Sequence, residues 1–280
     1  MIRGLAGPFP GGRGDDGAGA MGYRYPDPRD LIPRSGIEPV RVIDGAGWDE
    51  ADQVMVQRAA ALLPAGRAGS CADVGAGRGR LLPALLELAD QVTVIEPDPG
   101  RLAGARGRAG RGRARCRFLD ADLATAQLGG ARFDLVVCSH VLQHLATGQR
   151  ADFTAALHGV TAPGGLLVLM CPGTLRGPGR LLLSERGPAP AGVSTREASA
   201  ADFDEAAGPA RPGGQPGPLP VWHAGAGDVE ALLTRAGMTV VSRACYREFR
   251  FPLIDAAGRA GIGSAADVCI IASPHRDRSG

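Results

Sequence analysis

Between residues 70 and 273, short apolar runs alternate with segments whose apolar residues recur at helical spacing. Residues 70–74, 91–96, 133–139 and 166–171 are nearly continuous apolar runs of strand length, the mark of strands buried on both faces. A helix over 49–63 precedes them, stopped by Pro64, and residues 78–89 carry Leu81, Leu82, Leu85, Leu86 and Ala89 on one face. Asp98-Pro99 supplies an N-cap and a first-turn proline for another helix. Residues 149–160 make a fourth helix, and 228–236 a fifth that stops at Gly237. Over 113–119, Arg113, Arg115 and Arg117 alternate with Ala114, Cys116 and Phe118, a wet-faced pattern that suits a sheet edge. Strands over 238–245 and 267–273 bring the total to seven. This order predicts an α/β protein with a doubly wound, mostly parallel seven-stranded sheet and helices on both faces.

Two stretches fall outside that rhythm. Residues 1–34 are rich in Gly, Pro, Asp and Arg, and are expected to be a flexible leader to a domain spanning 35–280. Residues 172–221 are dominated by Gly, Pro, Ala and Ser, and a connection that long implies an insertion or lid with a role of its own.

Composition removes several functional classes. The 31 basic residues balance 29 acidic ones to a net charge of +2, so bulk charge favours neither nucleic acid nor an anionic membrane. Every basic residue is arginine, and lysine and asparagine are absent. Such a bias follows GC-rich codons, so the arginines at 101, 106, 108, 111, 113, 115 and 117 are expected to be a solvated surface rather than a nucleic-acid site. No apolar run approaches the roughly 20 residues that cross a bilayer, and Gly and Pro follow Arg3 where a signal peptide needs an apolar stretch. The six cysteines show no CxxC pair and no metal-ligand spacing, and each falls in an expected strand as a small core residue. A reducing, cytoplasmic setting is the expectation.

The chemistry concentrates at Asp73-Val74-Gly75-Ala76-Gly77-Arg78-Gly79. A buried strand ends in an acid, a glycine turn follows, and a helix opens with unpaired N–H donors. Twenty-one residues beyond Gly75, Glu96 ends the second strand, where a carboxylate can accept from two ribose hydroxyls. The dinucleotide fingerprint G-x-G-x-x-G is not met, because the third glycine comes one position early, at Gly79, and Arg80 stands in its place. An acid two residues before the first glycine also repels a diphosphate and attracts an ammonium or sulfonium.

These segments resemble the motifs of the class I S-adenosylmethionine-dependent methyltransferases, in particular their small-molecule branch. Residues 73–79 are similar to the first motif, Val94-Ile95-Glu96-Pro97-Asp98 to the second, and Phe118 to Leu123 to the adenine-contacting segment. Residues 133–145 resemble the family's F-D-x-V-x-S-x-x-L-E-H-L, with Gln143 in place of the usual Glu, and 162–167 its proline-glycine-glycine turn. The resemblance implies a Rossmann-like fold and S-adenosyl-L-methionine as cofactor, with S-adenosyl-L-homocysteine as product and no metal. It implies cofactor contacts from Asp73, Gly75, Ala76, Gly77, Glu96, Pro97, Asp122, Leu123 and Ser139. Asp122 fits the adenine role better than Asp120.

Methyl transfer to a hydroxyl or protonated amine also needs a base, and His140, His144 and His223 are the candidates. His140 and His144, four apart, lack the Glu that would make them a zinc-protease pair, since Val141 follows the first. His144 also suits packing, and Trp222-His223 reads as an ordinary approach to the helix over 228–236 in preference to a return of the 172–221 segment to the pocket as a lid. No Asp/Asn-Pro-Pro-Tyr segment follows the fourth strand, which disfavours methylation of DNA bases. The expected acceptor is a small molecule or peptide of secondary metabolism, handled by a monomer or homodimer, with no nucleic-acid or membrane partner. The alternative is a protein that binds the same cofactor without transferring its methyl group, for cyclisation, decarboxylation or sensing.

Overall fold

A computed structural model of the 280-residue chain describes residues 37–48, 50–174, 177–186, 193–208 and 217–275. The leader read over 1–34, and Asp49, lie outside the described residues. In chain order the elements are β1 (Glu38–Val42), α1 (Ala51–Ala60), β2 (Ala68–Val74), α2 (Leu82–Leu88), β3 (Ala89–Ile95), α3 (Pro99–Arg108), β4 (Cys116–Leu119), β5 (Phe133–Ser139), α4 (Arg150–Val160) and β6 (Thr161–Thr174). They continue with β7 (Arg180–Arg186), β8 (Val193–Glu197), α5 (Ala200–Ala207), β9 (Leu219–Gly225), α6 (Ala226–Arg235), β10 (Met238–Ile254) and β11 (Ala260–Pro274).

Five parallel strands in the order β4-β3-β2-β5-β6 form the heart of the sheet, and β11 joins β6 antiparallel with β10 beyond it. The order reverses between β2 and β5, the place where an open α/β sheet leaves a crevice at its carboxyl edge. Apolar side chains of α1, α2 and α3 cover one face of the sheet and those of α4, α5 and α6 the other. All six cysteines are free. As the arginine alternation predicts, β4 is an edge strand paired only to β3, but it is shorter than expected. Residues 110–115 form a 3-10 turn, opened by Gly110 at a φ of 50° and tethered where the Arg115 guanidinium donates to the Ala89 carbonyl at 2.9 Å. The helix expected from residue 78 begins at Leu82, because Gly77 and Gly79 adopt left-handed φ values of 58° and 75° that end regular structure there.

The sheet also departs from the seven-stranded expectation: among the described residues it has eleven strands and closes on itself. Strands β6, β11 and β10 run on past the sheet, and the hairpin β10–β11 turns at residues 255–259, where Asp255 accepts from the Ala257 and Arg259 amides. The described part of 172–221 is a set of short strands and a helix rather than an open loop. There β9 pairs with the end of β6, β7 with both β9 and β8, and β8 reaches β10 at Ile254. The circuit β6-β9-β7-β8-β10-β11 is thus a small six-stranded barrel seated on the carboxyl edge of the sheet. At its seam Gly173 lies so near β9 that a Cβ would stand 2.3 Å from the Ala224 carbonyl oxygen.

Candidate active site

The β2–α2 turn is shaped by its glycines. Gly75 adopts a φ of 68°, and a Cβ there would come within 2.3 Å of a Val141 methyl. Its amide donates to the Ile95 carbonyl at 2.8 Å, which ties the turn to the end of β3. Glu96, buried at the end of β3, accepts from the Gly77 amide at 2.7 Å and from the Asp98 amide at 3.0 Å. Two strand ends and one glycine turn are therefore locked together through a single carboxylate.

Asp73 is buried, and its Oδ2 has no hydrogen-bond partner among the described residues. Burial pushes its carboxyl up to about 7, with the nearby Arg80 pulling it down and Glu96 pushing it further up. A buried carboxylate without a partner is unfavourable unless a ligand completes it. Asp122 caps its own turn, accepting from the Thr125 amide at 2.8 Å and hydroxyl at 2.9 Å through Oδ1. Leu123 behind it is buried. Ala76, Pro97, Asp122, Leu123 and Ser139 all border the cavity that holds Asp73 and Glu96.

The three histidines border the same cavity but differ in what occupies their ring nitrogens. His144 is buried in a 3-10 turn after β5, with Nδ1 2.7 Å from the Pro220 carbonyl oxygen and Nε2 3.2 Å from the Gln143 amide nitrogen. The carbonyl can only accept, so Nδ1 carries the proton and Nε2 faces the amide donor. Burial holds this imidazole neutral by lowering its pKa to about 4, against the pull of the Pro220 carbonyl. His140 follows β5 at a φ of 59°, an uncommon conformation for a residue with a Cβ. Its amide donates to the Met170 carbonyl at 2.8 Å, and Arg247 donates to its Nε2 at 3.1 Å. His223 lies on β9, a strand and not the helix approach expected there. Its ring packs edge-on against Phe251 and Phe249, at centroid distances of 5.2 and 6.2 Å, and no hydrogen bond to it occurs among the described residues. Burial lowers its pKa to about 4, with Arg180 adding to the effect.

A buried ion network missing from the sequence reading anchors this end of the cavity. Asp52 of α1 is fully buried and pairs with Arg80 and with Arg247 at 2.9 Å, and the His140 ring nitrogen Nε2 lies 3.6 Å from it. It also accepts from the Ser139 hydroxyl at 3.1 Å. Burial alone would raise the Asp52 carboxyl, but the neighbouring His140, Arg247 and Arg80 outweigh it and hold the group well below the usual carboxylate range. Arg247 bridges onward to Asp267 at 2.6 Å, donates to the Trp48 carbonyl at 2.8 Å and lies over the Trp48 ring. One signal was available: Asp52 sits three and four residues before Met55 and Val56, on the buried face of α1, where a lone carboxylate demands partners. Among the described residues no group of three or more His, Cys, Asp or Glu is arranged to hold a metal ion.

A strand order with β2 and β5 at the switch point, a glycine turn tied to a strand-end glutamate, and an unsatisfied acid beneath them come together at the carboxyl edge of the sheet, where open α/β sheets hold their ligands. The family model described as a methyltransferase domain matches residues 71–165. An uncharacterized methyltransferase of Mycobacterium tuberculosis is 36% identical over 98 residues, 35% of this chain and 48% of that protein. The chain thus spans about half the length of the curated relatives it matches. Among solved structures, the 1,6-didemethyltoxoflavin-N1-methyltransferase of Burkholderia thailandensis, with S-adenosylhomocysteine bound, overlays with a TM-score of 0.52 and 21% identity, covering 86% of this chain and 95% of that one. The glycopeptide N-methyltransferase MtfA, complexed with S-adenosylmethionine, gives 0.53 and 21%, covering 85% and 100%. At these identities the overlays speak to the fold.

Proposed function

We propose that the chain is an S-adenosylmethionine-dependent methyltransferase acting on an oxygen or nitrogen of a small-molecule or peptide metabolite. The observation that carries this reading is that the cofactor cleft and the interior of the barrel are one continuous cavity of about 1360 Å³. Single-ligand sites run to roughly 300–1,000 Å³, so this space suits two ligands held together. The residues present fit the cofactor. Asp73 has an unpartnered buried oxygen that would meet its cationic end, the Glu96 carboxylate would take the ribose hydroxyls, and Asp122 and Leu123, which border the same cavity, would hold the adenine. When bound, the cofactor supplies a methyl group already activated on a sulfonium sulfur.

The chain's own part is then alignment and exclusion of water, the two largest contributions a protein makes to such a displacement. Gly75, without a Cβ, lets the β2–α2 turn close onto Val141 at the cavity wall. The Asp52–Arg80–Arg247–Asp267 network fixes the end of β5 against β10 and β11, so that cleft and barrel keep one relative placement. Two carboxylates and two guanidiniums balance in this network.

Isothermal titration with S-adenosylhomocysteine, followed by mass spectrometry of reactions with a panel of metabolites, tests the proposal. Saturable binding and a product heavier by one CH₂ group support it. Turnover of an acceptor without consumption of cofactor sinks it in favour of a non-transferring use of the same site, and absence of binding sinks both.

A further inference from the structure

The barrel interior differs in chemistry from the cleft below it. Along β10, Phe249, Phe251 and Leu253 are buried while Arg250 and Pro252 face outward. Phe249 and Phe251 border the cavity, with Leu182, Val221 and Trp48 beside them. The aromatic rings form a connected set. Trp48 meets Phe249 edge-on at 5.9 Å, Phe249 meets Phe251 at 6.1 Å, and Phe251 meets His223. The polar side chains of this upper chamber are the Ser184 and Thr195 hydroxyls, bonded to each other at 2.9 Å, and His223. The charged groups at its floor, Arg247 and Asp267, are paired with each other.

Resting on the proposed methyltransferase reading, we infer that this barrel is the acceptor chamber, that it takes an uncharged aromatic ring bearing one hydroxyl or N–H, and that His223 receives the proton released on methylation. A charged guest would leave water for a chamber that offers no free counter-ion among the described residues, an expensive transfer. An uncharged ring gains edge-to-face or offset contacts with Trp48, Phe249 and Phe251 at the spacing where aromatic pairs add stability beyond their buried area.

Hydrogen-bond accounting selects among the three histidines. The His144 Nε2 lone pair faces Gln143 and that of His140 faces Arg247, whereas His223 borders the chamber and no hydrogen bond to either of its ring nitrogens occurs among the described residues. Burial keeps His223 in its neutral, proton-accepting form. In the transfer, a lone pair of the acceptor oxygen or nitrogen forms the new bond to the methyl carbon as the carbon–sulfur bond breaks. The pair from that bond stays on sulfur as a thioether, and the acceptor proton moves to an imidazole nitrogen of His223. Solvent takes that proton after product release.

The test uses three probes of one ring system: 2-naphthol, 2-naphthoate and 2-naphthylmethylammonium, titrated by fluorescence into the full chain saturated with S-adenosylhomocysteine. The expected result is binding of 2-naphthol at least tenfold tighter than either ion, weakened about tenfold by Phe251→Ala. Equal or tighter binding of either ion overturns the chamber chemistry. If S-adenosylhomocysteine itself fails to bind, the cofactor reading falls instead, so the two failures are distinct. His223→Gln is expected to leave both affinities within twofold while lowering kcat for 2-naphthol about 100-fold, the scale of a lost general base, and in His223→Ala added imidazole restores part of that rate. An unchanged kcat, or a loss that appears wholly in binding, overturns the assignment of His223. Should either variant fail to fold, the three-probe comparison on the wild-type chain still decides the chamber.

Discussion

Replacing Asp73 with Asn is expected to stabilise the ligand-free protein and weaken cofactor binding, two effects of opposite sign from one substitution. The carboxyl rises from an ordinary 3.8 to about 7 in the fold, chiefly because it is buried. A folded-state value above the unfolded one means that the native protein binds the extra proton between those two pH values. The group therefore opposes folding most above pH 7, and that penalty fades as the pH falls toward 4. At 1.36 kcal/mol per pH unit, the span from 3.8 to about 7 sets a ceiling of about 4 kcal/mol at pH 8. The amide of Asn also needs partners, and an unpaired buried amide returns about 1–3 kcal/mol of that. The net gain expected at pH 8 is about 1–3 kcal/mol, a rise in Tm of several degrees at roughly 2–4 °C per kcal/mol. At pH 5 the wild-type carboxyl is itself neutral, so the two proteins should melt close together. In binding, loss of one charge-assisted hydrogen bond worth about 1.5–3 kcal/mol weakens S-adenosylmethionine about 10- to 100-fold. Scanning fluorimetry at pH 5 and pH 8, with isothermal titration of the cofactor, measures both effects. An Asn variant that melts lower than wild type at pH 8, or that keeps full affinity, refutes the assignment of Asp73 as an unsatisfied ligand-facing acid.

Gly75→Ala forces a Cβ toward Val141 at a left-handed φ, so it should lower stability by about 1–3 kcal/mol and abolish detectable S-adenosylhomocysteine binding in the same titration. Unchanged affinity would show that the turn has room the structure denies it. Arg247→Met leaves Asp52 and Asp267 buried beside each other with one cation fewer, and unfolding in urea should show a loss of about 3–5 kcal/mol. Asp52→Asn combined with Arg247→Met should recover a good part of that loss, and strict additivity of the two would mean that the pair is not coupled.

How much of this was legible follows from which forces act locally. The five parallel strands and the cleft at their ends were readable because each is written in a short segment: an apolar run, a glycine turn, an acid at the next strand end. Asp98 was readable as a cap for the same reason, and it does accept from the Arg101 amide at 2.8 Å. The barrel was not readable, because it rests on pairings between segments far apart in the chain, such as Leu183 with Pro220 and Ala266 with Gly173. Part of its signal was present, since Phe249, Phe251 and Leu253 alternate with outward residues in the run R-E-F-R-F-P-L, a strand pattern beyond the point where β10 was expected to end. The glycine and proline content of 172–221 pointed to loop, and tertiary pairing overrode it. The Asp52–Arg247 pair spans nearly the whole described chain, and no local pattern announces a partner at that distance.

The location of the barrel follows from the extension of three strands. In an open sheet, β6, β10 and β11 would end at the carboxyl edge, and the crevice above the β2–β5 switch point would face solvent. Here each runs on, the descending strand β11 keeps its pairing with both neighbours, and the segment between β6 and α6 supplies the three strands that close the circle. The same extension puts Arg247 and Asp267 in register with each other across β10 and β11. Their ion pair therefore sits at the junction, under the barrel and above the sheet, where it reaches Asp52 of α1 and His140 of the β5 end. A charge pair at that point cannot relax by moving either body without breaking the other's contacts. The junction is consequently stiff, and the cavity passes through it from a cleft lined by Asp73 and Glu96 into a chamber lined by Trp48, Phe249 and Phe251.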